Sequence, residues 1–326
     1  MSAVEIIKAV NDPATKLIET VSGAIGKAYE PRYTRKMADA KAYEIERISE
    51  AMRNNSDLPI VYTGSETNVD ISDYDRLRQR TGSRLAYQEI RKQENIETVI
   101  DKAYEEVQGK ELQSDIPVNP DWMNRFITDI GEVSDEDMQL LWAKVLAGEV
   151  IAPKSYSLKT LDCLRNLTSD DAVLFSKVCP FIINDSFLLS DMGLNEKYGI
   201  LYNDILRLDD CGLINSSGFI SMNMNIGKER ILILDFEEYI LMGQCNTDEV
   251  QKISIGEFPL TRSGRELIHI ACKEKMSDKY IVDIVESVRR KSNGCKLSLH
   301  RVNSRNDATI NYNENEITSI LTQDSI

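Results

Sequence analysis

The sequence predicts a mainly α protein with a smaller α+β part: long N-terminal helices, a central helical domain and a winged-helix-like C-terminal module. Three observations carry this. Four helix starts fall between Asn119 and Phe175. Residues 1–110 alternate charged and apolar positions at helical spacing, with proline and a polar stretch as the breaks. Beyond Phe175 short apolar runs appear between turn residues, as in strands. The expected domains are 1–54, a helical arm; 55–118, a loop and charged helical segment; 119–192, the central domain; and 193–326, the α+β module.

In the first segment Val4, Ile7 and Val10 share a helix face. Asp12-Pro13 then caps and starts a second helix, because proline is tolerated where the first N–H has no partner. Its stripe of Leu17, Ile18, Val21 and Ile25 is thinned by Ser22, Gly23 and Gly26. A stripe of this kind needs a partner surface. The expectation is self-association through it, the alternative being packing on Ile96, Val99 and Ile100 of the same chain. Pro31 interrupts, and a charged helix is expected over 32–53. Its Arg32, Arg35 and Lys36, with Lys16 and Lys27, suit anionic headgroups, so peripheral membrane contact is a secondary expectation.

Residues 54–72 read as a loop, through Pro59, Gly64 and their Asn and Ser neighbours. Helix resumes over 73–108, with a break expected near Gly82. Arg76, Arg78, Arg80, Arg84, Arg91 and Lys92 gather there beside Tyr74 and Tyr87. Arginine with aromatics can grip nucleic acid. Asp73, Asp75, Glu89 and Glu94 are interleaved, however, and i,i+4 pairing would satisfy much of the charge. Residues 109–120 form a linker.

The central stretch is rich in caps. Asn119-Pro120 opens one helix, with Trp122, Met123, Phe126, Ile127 and Ile130 on one side. Ser134 with Asp137 resembles a capping box for the next. There Met138, Leu141, Trp142, Val145, Leu146 and Glu149 follow the spacing of an amphipathic face. Ser155 or Ser157 opens a third helix and Ser169 a fourth. Further on, Leu201, Ile205 and Leu208 form a helix face closed by Gly212. Strands are expected at 213–214 and 219–222 around an Asn-Ser-Ser-Gly turn, then at 231–236 and 253–258. A helix follows from Leu260 or Thr261 to Ala271, another from Asp278 to Arg290, and an alternating strand over 296–302. Residues 311–326 are polar.

The run Val133-Ser134-Asp135-Glu136-Asp137-Met138-Gln139, with Leu141-Trp142-Ala143-Lys144-Val145-Leu146-Ala147-Gly148-Glu149, Pro153, Ser157-Leu158-Lys159-Thr160-Leu161 and Leu164, resembles a bacterial family catalogued only as a domain of unknown function. It is similar, more loosely, to the abortive-infection alpha proteins. Leu260-Thr261, Gly264 and Leu267 continue the resemblance. It implies a bacterial or phage protein, with antiviral defence as the expected role, and it brings no catalytic residues. Trp142, Lys144, Gly148 and Glu149 are its most distinctive positions.

Composition agrees with a soluble chain. The formal charge is −14, of which −2 belongs to residues 1–110 and −12 to the rest. Phosphate contacts need Lys and Arg, so the acidic two-thirds argues against a nucleic-acid partner and for a protein partner, phage-encoded or a second copy. The helix expected at 195–210, where a DNA-binding winged helix meets the groove, carries Glu196, Asp204, Asp209 and Asp210 against Lys197 and Arg207. Cys163, Cys179, Cys211, Cys245, Cys272 and Cys295 show no C-x-x-C spacing and read as reduced thiols. His269 and His300 are too isolated for a metal site. No phosphate-loop, serine-hydrolase or zinc-protease motif occurs. No cofactor, metal or catalytic residue is therefore expected, and the chain reads as non-enzymatic. Met1-Ser2-Ala3-Val4-Glu5 has neither a basic start nor an apolar run, so the expected location is the cytoplasm. Against the defence reading stand a plain scaffold or adaptor, and a nucleic-acid binder using 76–92.

Overall fold

The computed structural model describes residues 12–25, 71–217, 221–236, 238–246, 249–272, 274–292, 294–306 and 309–313. The helices expected at 3–10 and 32–53, and with them Arg32, Arg35 and Lys36, lie outside the described residues. The chain divides into two compact units, residues 1–154 and 155–326. The division falls inside the stretch 119–192.

The first unit is helical. α1 spans Pro13–Ile25. Asp12 Oδ2 accepts from the Thr15 N–H and hydroxyl, both at 3.2 Å, so the expected cap forms. α2 runs over Ile71–Val107 and continues unbroken through Gly82. One glycine costs a helix only about 1 kcal/mol, too little to end one of this length. α3, Pro120–Ile130, starts where Asn119 Oδ1 accepts from the Asp121 and Trp122 amides. α4, Glu136–Ile151, is capped by Asp135, whose Oδ1 accepts from Met138 N–H at 2.9 Å. Ser134, the expected cap, instead accepts from Arg91 Nη2 at 3.0 Å.

α4 is the centre of this unit. Trp142, Ala143, Val145, Leu146 and Val150 are fully buried, and they point in several directions around the helix. The single-faced pattern expected from the sequence is therefore too narrow. A helix enclosed by α1, α2 and α3 is apolar on most sides. α2 supplies Val99, Ile100, Ala103 and Val107 to that enclosure, all from its C-terminal half.

The second unit is α+β. α5, Leu158–Asn166, follows Ser157. α6, Ser169–Val178, is capped by Thr168 and not Ser169: Asp171 returns a bond to the Thr168 amide, completing the box. β1 (Ile182–Ile183) and β2 (Phe187–Leu189) form a hairpin. Asn184 and Asp185 in its turn both have positive φ, which is what the twist of a tight hairpin requires and what Asn and Asp tolerate. After α7 (Met192–Lys197) and α8 (Tyr202–Asp210), Gly212 takes φ 74°, ending the helix as expected.

β3 (Met222–Ile226), β4 (Leu232–Asp235), β5 (Tyr239–Cys245), β6 (Gln251–Pro259), β7 (Cys295–Arg305) and β8 (Ile310–Tyr312) complete two antiparallel sheets, ordered β1-β2-β6-β3 and β4-β5-β7-β8. Of the hairpin expected across 215–218, residues 218–220 lie outside the described residues, and the flanking positions pair with distant ones. Ile214 bridges Leu260, and β3 pairs with β6. α9 (Arg262–Ala271) and α10 (Asp278–Lys291) match their expected spans. Ile281, Ile284, Val285 and Val288 of α10 pack in one core with Leu234, Leu241, Ile255 and Leu299. The expectation of reduced thiols is corrected at one pair: Cys245 and Cys295, opposite each other on β5 and β7, form a disulfide. Period-two register puts both side chains on one face at adjacent strands, a proximity that linear spacing does not reveal.

Candidate functional site

The signature residues sort by what they touch. Trp142 is fully enclosed, its ring edge-on to Phe126 with centroids 5.4 Å apart, and Phe126 stacks on Trp122 at 5.1 Å. The tryptophans are core. Glu149 is 2% exposed and its Oε1 accepts from the Lys154 N–H at 2.7 Å. Lys154 has φ 76°, so the carboxylate holds a turn of unusual backbone after α4. Lys144 and Gly148 are half-buried on the same helix. In the second unit Gly264 also has a packing reason: a Cβ there would run into the Leu213 carbonyl. Thr261 anchors the same contact, its amide donating to Leu213 O at 2.9 Å and its hydroxyl to Gly212 O at 2.5 Å.

The α1 stripe is divided. Leu17 and Val21 are fully buried, Ile18 and Ile25 half-buried. Leu17 and Val21 thus belong to the core of their own unit. Beside α1 lies an open cleft of about 730 Å³, lined by Lys16, Glu19 and Thr20, by Asp115 and Pro117 of the linker and by Asn124 of α3. Lys16 Nζ donates to Ser114 O at 2.7 Å. Burial pushes its pKa down, against the pull of Asp115 and Glu149. The cleft sets the Lys16 ammonium, the Glu19 and Asp115 carboxylates and the Asn124 amide in a wall that is otherwise largely apolar. Among the described residues its lining offers no nucleophile–base pair of the kind acyl or phosphoryl chemistry uses. Among the described residues no group of three or more His, Cys, Asp and Glu is arranged for a metal.

The remaining feature is α2. Its C-terminal half is rooted in the unit, whereas residues 75–94 contain no buried position. Leu77 is 53% exposed, Leu85 47% and Tyr87 67%. Arg76, Arg80 and Arg84, the predicted basic residues, are all exposed here and one turn apart. Arg84 Nη1 donates to Gln88 at 3.1 Å. The root of this outer half is braced by groups that the sequence alone did not single out. Asn95, 8% exposed, donates to Gly131 O at 2.8 Å. Gln139 Nε2 donates to Val133 O at 3.0 Å and lies 3.5 Å from Asn95 Oδ1. Lys102 Nζ donates to Glu136 O at 3.0 Å. Gln139 belongs to the signature run, which was the one available hint. No described helix is long and apolar enough to cross a membrane.

In the second unit the polar clusters are structural. Glu266 binds the start of α5, and Asp191 caps α7 while accepting from Ser287 Oγ at 2.6 Å. Burial pushes the Cys163 thiol up to about 12 and the Cys211 thiol to about 11, away from nucleophilic reactivity.

No curated protein and no solved structure matches the chain. A family model described as "Protein of unknown function (DUF2806)" matches residues 79–285, more than half of the sequence.

Proposed function

The chain belongs to the DUF2806 family of proteins of unknown function, and on that premise we propose a non-enzymatic protein of bacterial antiviral defence that acts in the cytoplasm through self-association and protein partners. The defence role rests on the likeness of the 133–164 run to the abortive-infection proteins. The mode of action rests on one observation: the outer half of α2 is helical yet holds no buried residue. Most helical stability in proteins comes from packing of an apolar face. An exposed one carrying two leucines and a tyrosine is a surface awaiting a partner.

A second reading, adaptor activity, is favoured by α8. We assign the region from α8 through the β3–β6 pair a winged-helix-like role in protein contact. Leu201, Tyr202 and Leu206 are exposed there, a face suited to protein and not to phosphate. The test is light scattering on the full chain over a concentration series, beside plaque counts on cells expressing it or an inactive-arm variant, Leu77→Asp with Leu85→Asp. The expected result is an oligomer and fewer plaques, both lost in the variant. A monomer with unchanged plaque counts refutes the defence reading. A monomer that captures a partner through Leu201 and Leu206 selects the adaptor.

A further inference from the structure

We propose that Cys179 and Cys272 are an oxidisable dithiol, which a peroxide converts into a disulfide that staples the end of α6 to the end of α9. The proposal concerns the second unit alone and stands apart from the self-association reading. Three observations carry it.

The first is contact. The two cysteines are far apart in sequence, but the fold sets their sulfurs side by side. The Cys179 thiol donates to the Cys272 sulfur, and Cys272 Sγ donates onward to Glu274 O at 3.1 Å. Both remain thiols in the structure. A disulfide holds its sulfurs at about 2.05 Å. The remaining approach falls to two side chains at helix ends, since Cys179 is the C-cap of α6 and Cys272 that of α9.

The second is asymmetry. Cys179 is 3% exposed, whereas Cys272 is half-buried and open to solvent on one side. The bond to Cys272, and burial after it, hold the Cys179 thiol far above the ordinary range. The same bond points its hydrogen at the Cys272 sulfur, and a hydrogen bond to the charged form favours that form. Cys272 is therefore the sulfur that an oxidant meets as a thiolate, and Cys179 the one that resolves.

The third is the setting. One turn before Cys272 on α9, His269 Nε2 lies 3.6 Å from Asp185 Oδ2 in the β1–β2 turn, and the Asp185 charge also acts on Cys179. The His269 and Asp185 side chains are 71% and 63% exposed, so this corner is wet and a small oxidant reaches it. The other cysteines are placed differently. Cys163 donates to the Cys211 carbonyl at 3.0 Å and not to its sulfur, and Cys245 and Cys295 are already joined.

The chemistry balances in two steps. The Cys272 thiolate attacks a peroxide oxygen, the O–O bond breaks, and hydroxide leaves and takes up a proton. Cys272 is then a sulfenic acid. The Cys179 sulfur attacks the Cys272 sulfur, the S–O bond breaks, and the departing hydroxide carries off the Cys179 proton as water. The dithiol has lost two electrons and two protons, and hydrogen peroxide has become two waters.

The test treats the full chain, reduced with dithiothreitol and freed of it, with a few equivalents of hydrogen peroxide. Peptide mapping without reduction should find Cys179 linked to Cys272 at monomer mass. The melting temperature should rise by roughly 5 °C or more, as a long closed loop predicts, and dithiothreitol should reverse the rise. Cys272→Ser should fold, by circular dichroism, and lose the response. Cys179→Ala should leave Cys272 as a sulfenic acid that dimedone captures several-fold more than in wild type. Cys163→Ser with Cys211→Ser should respond as wild type does. Four results overturn the proposal: Cys272 oxidised to sulfinic acid with no link, a Cys163–Cys211 link formed as readily, links only between chains, or a link that needs denaturant.

Discussion

Replacing Glu266 with alanine should clearly destabilise the second unit. The carboxylate ties α9 to the start of α5. Oε2 accepts from the Ser157 amide at 2.7 Å, the Ser157 hydroxyl at 3.0 Å and the Thr160 hydroxyl at 2.5 Å, while Oε1 accepts from Arg262 at 2.7 Å. Arg262 is 63% exposed and returns to water when released, so its loss costs little. Thr160 is fully buried. Its hydroxyl and the Ser157 amide would lose their acceptor, and an orphaned buried donor costs about 1–3 kcal/mol. Ser157 Oγ, 3.2 Å from Thr160 Oγ1, can take over one bond. The net expectation is about 2–4 kcal/mol. For a unit of this size each kcal/mol shifts Tm by roughly 2–4 °C, which predicts a drop of roughly 4–16 °C. Thermal unfolding followed by circular dichroism measures it. A Glu266→Ala chain melting within one degree of wild type would refute the reasoning. So would additive losses for Glu266→Ala and Thr160→Val, since residues sharing a bond must couple.

Two further outcomes follow from the same packing and charge arguments. Trp142→Ala should cost the first unit about 3–5 kcal/mol, while Trp142→Phe should cost far less, because the buried indole N–H meets no acceptor among the described residues; equal losses in urea unfolding would contradict this. The second unit should also be acid-labile. Burial pushes the Glu266 and Asp171 carboxyls up, but Ser157, Thr160 and Arg262 around the one, and Thr168 and Arg207 around the other, outweigh it and hold both below their ordinary values of 4.5 and 3.8. Stability from a lowered carboxyl is complete above the ordinary value and is lost as pH falls through the folded one. Melting temperature should therefore hold down to about pH 4.5 and then fall, and the fall should shrink in Glu266→Gln.

Much of the helical framework was legible because caps are local. Asn119, Thr261 and Ser277 each bind an amide within three residues, so sequence and structure agree on where those helices start. The misplaced caps failed for the same local reason. Ser134 and Ser169 have a better neighbour, Asp135 and Thr168, and spacing alone does not decide between adjacent acceptors. The sheets were less legible. β1 and β2 are too short to show a period, and β3 pairs with β6 only after a long excursion of the chain. The buried half of the α1 stripe and the exposed half of α2 illustrate the main limit. Leu17 lies in an apolar stripe and Leu77 among arginines, yet whether a helix covers either one depends on elements distant in sequence. The Cys245–Cys295 pair and the Asn95 brace span 50 and 36 positions, beyond any local pattern.

That brace carries the last prediction. The outer half of α2 can present a defined surface only if its root is held in one orientation. Asn95 holds it, donating to Gly131 O at 2.8 Å from a nearly enclosed position. Asn95→Ala leaves that carbonyl without its side-chain donor and deprives Gln139 of a nearby acceptor, although Gln139 keeps Val133 O. The stability cost should be modest, about 1–2 kcal/mol, and the unit should stay folded. Association should suffer more than stability does, because a helix pivoting at its root samples many directions, and ordering it on binding costs entropy. For the self-association proposed above, the expected outcome is a dissociation constant raised by roughly tenfold or more, equivalent to about 1.4 kcal/mol, with every residue of the exposed face intact. Sedimentation equilibrium measures it directly. If Asn95→Ala associates as tightly as wild type while melting lower, the brace serves stability alone and the orientation of α2 does not limit assembly.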